Sequence, residues 1–134
     1  MDAALTPQQA LGPWRRHVVA AGGASGGPEA PLEQTDDGLI NRTFFVGDPS
    51  THVLQWVNPI FDRRIQLDID AVTRHLAAAG WLTPRLVPTD DGVLDAPDGG
   101  GFWRLMTFIP GVTHHRLRGV RMASAVGELV GRFH

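Results

Sequence analysis

The sequence predicts an α+β fold, an antiparallel sheet of about five strands with a helix packed on it and further helices at both ends of the chain. Three observations support this prediction. Short runs of strand-forming residues, separated by turns, fill residues 31–57. Apolar residues recur every three or four positions over residues 65–79, the spacing of a helix with one buried face. Residues 102–108 form a long, largely apolar run, which is typical of an interior strand.

A helix is predicted at the start of the chain. Thr6 and Pro7 form a good helix start, with Thr as N-cap and Pro at the first helical position. Gly12-Pro13 could interrupt this helix, and the small residues 22–27 indicate a linker. The apolar residues that would share one helical face are Ala10, Leu11, Trp14 and Val18, with Val19 as a further candidate.

Three strands joined by short connections are predicted next. They cover residues 31–35, 43–46 and 52–57, with a turn at 47–50 between the second and the third. Short connections between strands favour an antiparallel meander.

A helix is expected after the third strand, capped near Asp62 and ended by Gly80. Its apolar face would pack on the sheet. That face consists of Ile65, Ile69, Val72, Leu76 and Ala79.

Two short strands at 85–88 and 93–94 are predicted beyond this helix, with turns at 89–92 and 98–101 and then the long strand 102–108. Ile109-Pro110-Gly111 breaks that strand, and residues 112–119 form a basic connector. A final helix begins near Val120, with Met122, Val126, Leu129, Val130 and Phe133 on one face.

Composition excludes several classes of protein. The length of 134 residues is typical of one domain, and a hydrophobic fraction of 43% is enough for a core. The net charge of −2 gives no general attraction to nucleic acid or to an anionic membrane. The absence of cysteine excludes disulfides and thiolate metal sites. No membrane span or signal peptide is recognisable, so a cytoplasmic location is expected.

The turn at residues 36–41 is a candidate anion site. Gly38 lacks a Cβ, so backbone amides there can approach a ligand closely, and Asn41 and Thr43 add side-chain donors. An open turn with free amides suits a phosphate group. A turn with one glycine is also an ordinary hairpin, so this interpretation depends on the rest of the chain.

The order and spacing of several motifs resemble a known family. These motifs are residues 38–46, then residues 53–58 followed by Ile60-Phe61, then 103–106 running into 108–111, and finally 131–134. Together they resemble the N-terminal part of the aminoglycoside/choline kinase-like phosphotransferases, which share the protein-kinase-like fold. The similarity is greatest to the N-acetylhexosamine 1-kinase-like branch and covers residues 29–134.

The resemblance implies a kinase-like N-lobe at residues 29–108. Residues 1–28 would then be an N-terminal helix and linker, and residues 109–134 a hinge and the first helix of a C-lobe. ATP would be the cofactor, with magnesium held by C-lobe residues. The residues that would contact ATP are Gly38, Asn41, Arg42 and Thr43 in the turn, Gln55 on the third strand, and the backbone of Thr107, Phe108 and Ile109 at the hinge. Leu54 and Met106 would enclose the base.

Two departures from the family pattern are visible in the sequence. Gln55 stands where most such kinases have Lys or Arg, so the basic residue that contacts phosphate is unassigned. The acid that usually orients that residue could be Asp62, Asp68 or Asp70, although acids there also suit the helix dipole. The family's His-Gly-Asp catalytic loop is absent, so we expect a truncated product that binds ATP at most weakly and is inactive alone.

The sequence therefore predicts the nucleotide-binding lobe of an ATP-dependent sugar or amino-sugar phosphotransferase, whose full-length form would bind a small-molecule sugar acceptor. One alternative is a pseudokinase-like or split-protein module, which would self-associate through an exposed docking face on the final helix. Another is an unrelated α+β domain. The aspartate pairs 36–37 and 90–91 suit turns, and the basic residues at 114–118 suit either a phosphate contact or a solvated loop.

Overall fold

The sheet of this protein is antiparallel and has β3 at its centre. The computed structural model describes residues 2–21, 30–36, 38 and 40–134. Within that part of the chain five strands pair in the order β1-β2-β3-β5-β4. They are β1 Leu32–Thr35, β2 Arg42–Gly47, β3 Ser50–Val57, β4 Ala96–Asp98 and β5 Gly101–Thr107. The predicted α+β fold, the meander of the first three strands and the interior position of the last strand are confirmed.

Turn chemistry fixes the two tight connections of the sheet. Gly47 has φ +96° at the β2–β3 connection, and Gly99 and Gly100 have φ +62° and +87° between β4 and β5. Glycine adopts such angles without the steric cost of a Cβ. Two successive positive φ values match the right-handed twist of a hairpin, so the predicted turn at 98–101 brings β4 against β5.

The short strands were predicted at the wrong positions. Residues 85–88 form only a single bridge between Leu86 and Met106, and residues 93–94 lie in a loop. The paired segment is instead Ala96–Asp98, which contains Pro97. Proline cannot donate to a ladder, but β4 is an edge strand with β5 on one side only, so this loss is tolerated.

The N-terminal helices cover one face of the sheet. Helix α1, Pro7–Ala10, begins with a capping box in which Thr6 and Gln9 bond each other's backbone amides. Gly12-Pro13 interrupts the helix as a short 3-10 turn before α2, Arg15–Ala21, as the sequence allowed. The predicted linker at 22–27 lies outside the described residues.

The main hydrophobic core lies between these helices and the sheet. Trp14 is fully buried there, and its indole nitrogen donates to the Val87 carbonyl over 2.7 Å. The buried residues of this core are Ala10, Leu11, Trp14, Phe44, Val46, Leu54, Trp56, Val87, Trp103 and Leu105.

Helix α3, Ile65–Ala78, contacts the sheet mainly through its first turn. Gln66 is its buried residue, whereas Val72 is 55% exposed and Ala79 beyond its end is also exposed. The prediction that the whole apolar face packs on the sheet is therefore wrong for its C-terminal part. Gly80, with φ +87°, ends the helix as predicted, because the amides of Gly80 and Trp81 close back on the carbonyls of Ala77 and Leu76.

Helix α4, Val120–Phe133, leaves its apolar face largely open. It has no buried residue, and the side chains of Val126, Leu129, Val130 and Phe133 are each about half exposed. Phe133 meets the edge of the Trp81 ring with centroids 5.9 Å apart, and the Arg132 guanidinium lies 5.3 Å from the centre of that ring. Residues 110–121 between β5 and the second residue of α4 are exposed.

Candidate functional site

The sheet has a second face, turned away from α1 and α2, which we call the front face. Successive strand residues point to opposite faces, so the neighbours of the core residues Leu54 and Leu105 point to the front. Strand register sets the front-face side chains in two rows across β2, β3 and β5. The apolar row is Phe45, Val53 and Met106, and the polar row is Thr43, Gln55 and Arg104.

The polar row is a continuous chain of hydrogen bonds. The Gln55 amide nitrogen donates to the Thr43 hydroxyl over 2.9 Å, and the Gln55 carbonyl oxygen accepts from Arg104 Nε over 2.9 Å. Arg104 Nη1 reaches the side-chain oxygen of Gln66 on α3 over 3.1 Å. The Gln66 amide nitrogen in turn donates to the Leu94 carbonyl over 3.1 Å, which fixes both amide orientations because arginine can only donate.

The glycine turn lies at the end of this polar row. A Cβ placed on Gly38 would come 2.6 Å from the Asn41 carbonyl oxygen and 3.5 Å from the Thr43 hydroxyl oxygen. Contacts under about 3 Å to backbone atoms are not accommodated, so only glycine fits this turn. The Asn41 side-chain oxygen accepts from the Asn58 amide over 3.0 Å, which ties the turn to the end of β3. Asp37 and Leu39 of the predicted turn lie outside the described residues.

The predicted hinge, residues 107–109, lies beyond the apolar row at the C-terminal end of β5. The Thr107 amide donates to the Arg85 carbonyl over 2.9 Å, and the Phe108 amide donates to the Thr51 carbonyl over 3.1 Å. Ile109 is the first hinge residue whose amide donates to no group among the described residues. The Phe108 ring meets the Phe45 ring edge to face at 5.3 Å, which closes the apolar row on this side.

A family comparison agrees with this arrangement. Residues 31–134 match the family described as the phosphotransferase enzyme family (APH). This match covers most of the chain. The chain belongs to this phosphotransferase family. Its sheet and α3 are consistent with the N-lobe of a kinase-like fold, as the sequence predicted.

Most of the predicted site residues of this phosphotransferase-family chain come together. Gly38, Asn41 and Thr43 meet at the turn, and Gln55 joins them through Thr43. Met106 and Phe108 lie at the other end of the same face, and Ile109 follows Phe108. Thr107 points to the opposite face, where its hydroxyl accepts from the Arg85 amide.

Two predicted residues lie on the wrong face. The Arg42 guanidinium lies over the Phe44 ring, 5.5 Å from its centre, on the side of the core, so only its backbone borders the site. Leu54 is fully buried under the N-terminal helices and cannot enclose a base on the front face. Val53, its neighbour, lies on the front face instead, and the sequence analysis named neither Val53 nor Phe45 as a site residue.

None of the three proposed acids orients the polar row. Asp62 pairs with Arg64, whose hydrogen bonds lower the pKa of the Asp62 carboxyl to about 2. Asp70 pairs with Arg74 one turn along α3, and Asp68 is exposed in the first turn, where the helix dipole favours an acid. The uncharged Gln66 is the α3 residue that contacts the polar row.

The other charged motifs of the phosphotransferase-family chain lie away from the front-face rows. His114, Arg116 and Arg118 are exposed in the connector before α4, and Asp90 accepts from the Arg16 amide in its turn. The described residues contain no group of three or more His, Cys, Asp or Glu side chains suited to a metal ion. No helix in the described ranges is long and apolar enough to cross a membrane, and the cytoplasmic location stays a prediction.

Proposed function

We propose that the front face binds ATP as the nucleotide-binding lobe of a phosphotransferase. The observation that supports this most directly is the order of the two rows along the strands. The rows are two residues apart, a spacing of roughly 7 Å along a strand. An apolar row beside an open hinge amide, followed by a polar row beside a glycine turn, matches the order of a purine base and its phosphates.

In this proposal the base packs on Phe45, Val53 and Met106, and its edge accepts a hydrogen bond from the Ile109 amide. The phosphates lie against the turn at Gly38 and the side chains of Thr43 and Gln55. The missing Cβ of Gly38 lets the Asn41 carbonyl pack closely inside this turn and so keeps the turn tight. ATP and magnesium are the expected cofactors of the family. A sugar or amino-sugar acceptor, and the N-acetylhexosamine branch in particular, rests on the sequence resemblance and on no contact of a described residue.

Enlarging the apolar row should block the base. We expect Val53→Trp to weaken binding of both ATP and adenosine on the order of tenfold or more, because overpacking costs about 1–3 kcal/mol. The affinities can be measured by isothermal titration calorimetry on the 134-residue chain.

The matched control is Val93→Trp, since Val93 is 54% exposed in the loop that precedes β4. It should bind both ligands as the wild type does. Circular dichroism should verify that each variant keeps its fold. Unchanged adenosine binding by a folded Val53→Trp variant would contradict the assignment of the base to this row.

A further inference from the structure

We propose that Arg104 on β5 supplies the positive charge that contacts the nucleotide phosphates, in place of a basic residue on β3. This inference rests on the proposed ATP-binding function and deepens it. The sequence left this role unassigned because strand β3 carries Gln55 where a cation was expected.

Position is the first argument. Arg104 and Gln55 are register partners on adjacent strands, so their side chains occupy the same part of the front face. Gln55 links Arg104 to the Thr43 hydroxyl, which lies beside Gly38 in the turn. A cation on β5 thus reaches the volume that a basic side chain at position 55 would serve.

Charge is the second argument. The described residues contain three ion pairs, and each uses another arginine: Arg63 with Asp95, Arg64 with Asp62 and Arg74 with Asp70. Arg104 instead bonds two neutral amide oxygens, those of Gln55 and Gln66. Its guanidinium is partly buried with no carboxylate partner among the described residues, and that burial lowers the pKa of Arg104 below its ordinary value.

A cation held in this way favours an anionic ligand. Burial without a counter-ion costs free energy that an incoming anion would recover. The two side-chain amides orient the Arg104 guanidinium and neutralise none of its charge. The guanidinium keeps further N–H donors that can bond phosphate oxygens. Gln66 is 2% exposed, so the support on the α3 side is rigidly packed.

The test compares ATP with adenosine, because only ATP carries the phosphates. We expect Arg104→Gln to weaken ATP binding on the order of tenfold to a hundredfold, the range for hydrogen bonds to charged groups, and to leave adenosine binding unchanged. Arg104→Lys, which keeps the charge, should retain most of the ATP-to-adenosine affinity ratio. Titration calorimetry on the whole chain gives both constants.

Two further variants separate charge from structure. Gln55→Glu keeps Arg104 but gives it a counter-ion, while the Thr43 hydroxyl can turn to donate instead of accept. It should lower the affinity ratio as Arg104→Gln does. Arg63→Gln, which removes an arginine already paired with Asp95, should leave the ratio unchanged.

The outcomes distinguish this inference from the proposed function. If the wild-type chain binds neither ATP nor adenosine, the nucleotide-binding proposal itself fails. If the wild type prefers ATP and this preference survives in both Arg104→Gln and Gln55→Glu, ATP binding stands and the role of Arg104 is overturned. Should Arg104→Gln fail to fold, Arg104→Met, which has a similar length and no charge, takes its place and should show the same loss of ATP preference, because Gln55→Glu can also repel the phosphates directly.

Discussion

Single carboxylates and amides connect distant segments of this protein, and Asp98 is the clearest case. Its two carboxylate oxygens accept from the amides of Ala4 and Leu5 and from the Trp103 indole over 2.9–3.0 Å, and its carbonyl accepts from the Trp56 indole. One residue at the end of β4 therefore fastens the start of the chain to the interior of the sheet.

These contacts predict a defined pH dependence. Partial burial alone would raise the pKa of Asp98, but the bonds from Leu5, Trp103 and Ala4 favour the charged form and hold the pKa below its ordinary value of 3.8. The carboxylate then stabilises the fold fully above that value, and its contribution is lost as the pH falls through the lowered pKa. We expect Asp98→Asn to be less stable than wild type at pH 7 and the difference to shrink below pH ~4.

Urea unfolding of both proteins across this pH range measures the difference in free energy of unfolding. Asp91→Asn, in an exposed turn, is the matched control and should follow the wild-type curve. A stability difference between wild type and Asp98→Asn that stays constant down to pH ~2 would contradict the proposed link between stability and the charge of Asp98.

At the scale of elements, the N-terminal helices are part of the folding unit. Trp14 fills the centre of the core and satisfies the carbonyl of Val87, a residue in the segment between α3 and β4. Trp14→Phe keeps most of the apolar volume but leaves that buried carbonyl without its donor. We expect a loss of about 1–3 kcal/mol in the free energy of unfolding, measured by urea denaturation.

Trp81→Phe is the comparison, since Trp81 lies outside the core and its ring contacts Phe133 and Arg132 at the end of α4. Trp81→Phe should lower the free energy of unfolding by much less than Trp14→Phe does. Equal losses in the two variants would show that α1 and α2 add no more to stability than a surface contact.

Local patterns predicted the elements better than the faces they present. The strands β1, β2, β3 and β5 and the C-terminal end of α3 followed from strand-forming runs, turn glycines and helical spacing. The predicted cap near Asp62 was wrong, because the N-cap residue of α3 is Arg64 and its side chain makes no capping hydrogen bond. Strand β3 reads Val53-Leu54-Gln55-Trp56-Val57, which is apolar on both sides, so period-two alternation could not tell which side the helices would cover. The sequence alone therefore does not distinguish Leu54 from Val53 as the residue that faces away from the N-terminal helices.

The role proposed for Arg104 depends on a long-range contact between strands. Its partner Gln55 is 49 positions away, and only the pairing of β3 with β5 brings the two together. No sequence interval encodes that contact. The α3 contact was missed for a similar reason, because the sequence analysis considered only the apolar and acidic residues of this helix, and its buried residue is Gln66.

At the scale of the whole molecule, the exposed face of α4 is an open apolar surface that the sequence predicted. Val126, Leu129, Val130 and Phe133 lie on one side of the helix, and Phe133 is 58% exposed. Contiguous apolar patches of this kind promote association. We expect the chain to self-associate at high concentration and Leu129→Glu to reduce it, as measured by sedimentation velocity.

Ser124→Glu adds the same charge on the opposite side of α4 and serves as the control. It should leave the sedimentation coefficient of the wild type unchanged. Loss of association in both variants would point to net charge as the cause, and no association in the wild type would remove this face as a contact surface.

The pairing of Gln55 with Arg104 has a consequence for how relatives of this chain are sorted. Because Gln55 and Arg104 are register partners on neighbouring strands, the proposed phosphate site could receive its cation from either strand. Exchanging Gln55 and Arg104 would leave the amino-acid composition unchanged and would only move the cation from β5 to β3. A sequence search that requires a cation on β3 would reject a chain with Gln on β3 and Arg on β5. A search that accepts the cation at either of the two positions would retain it.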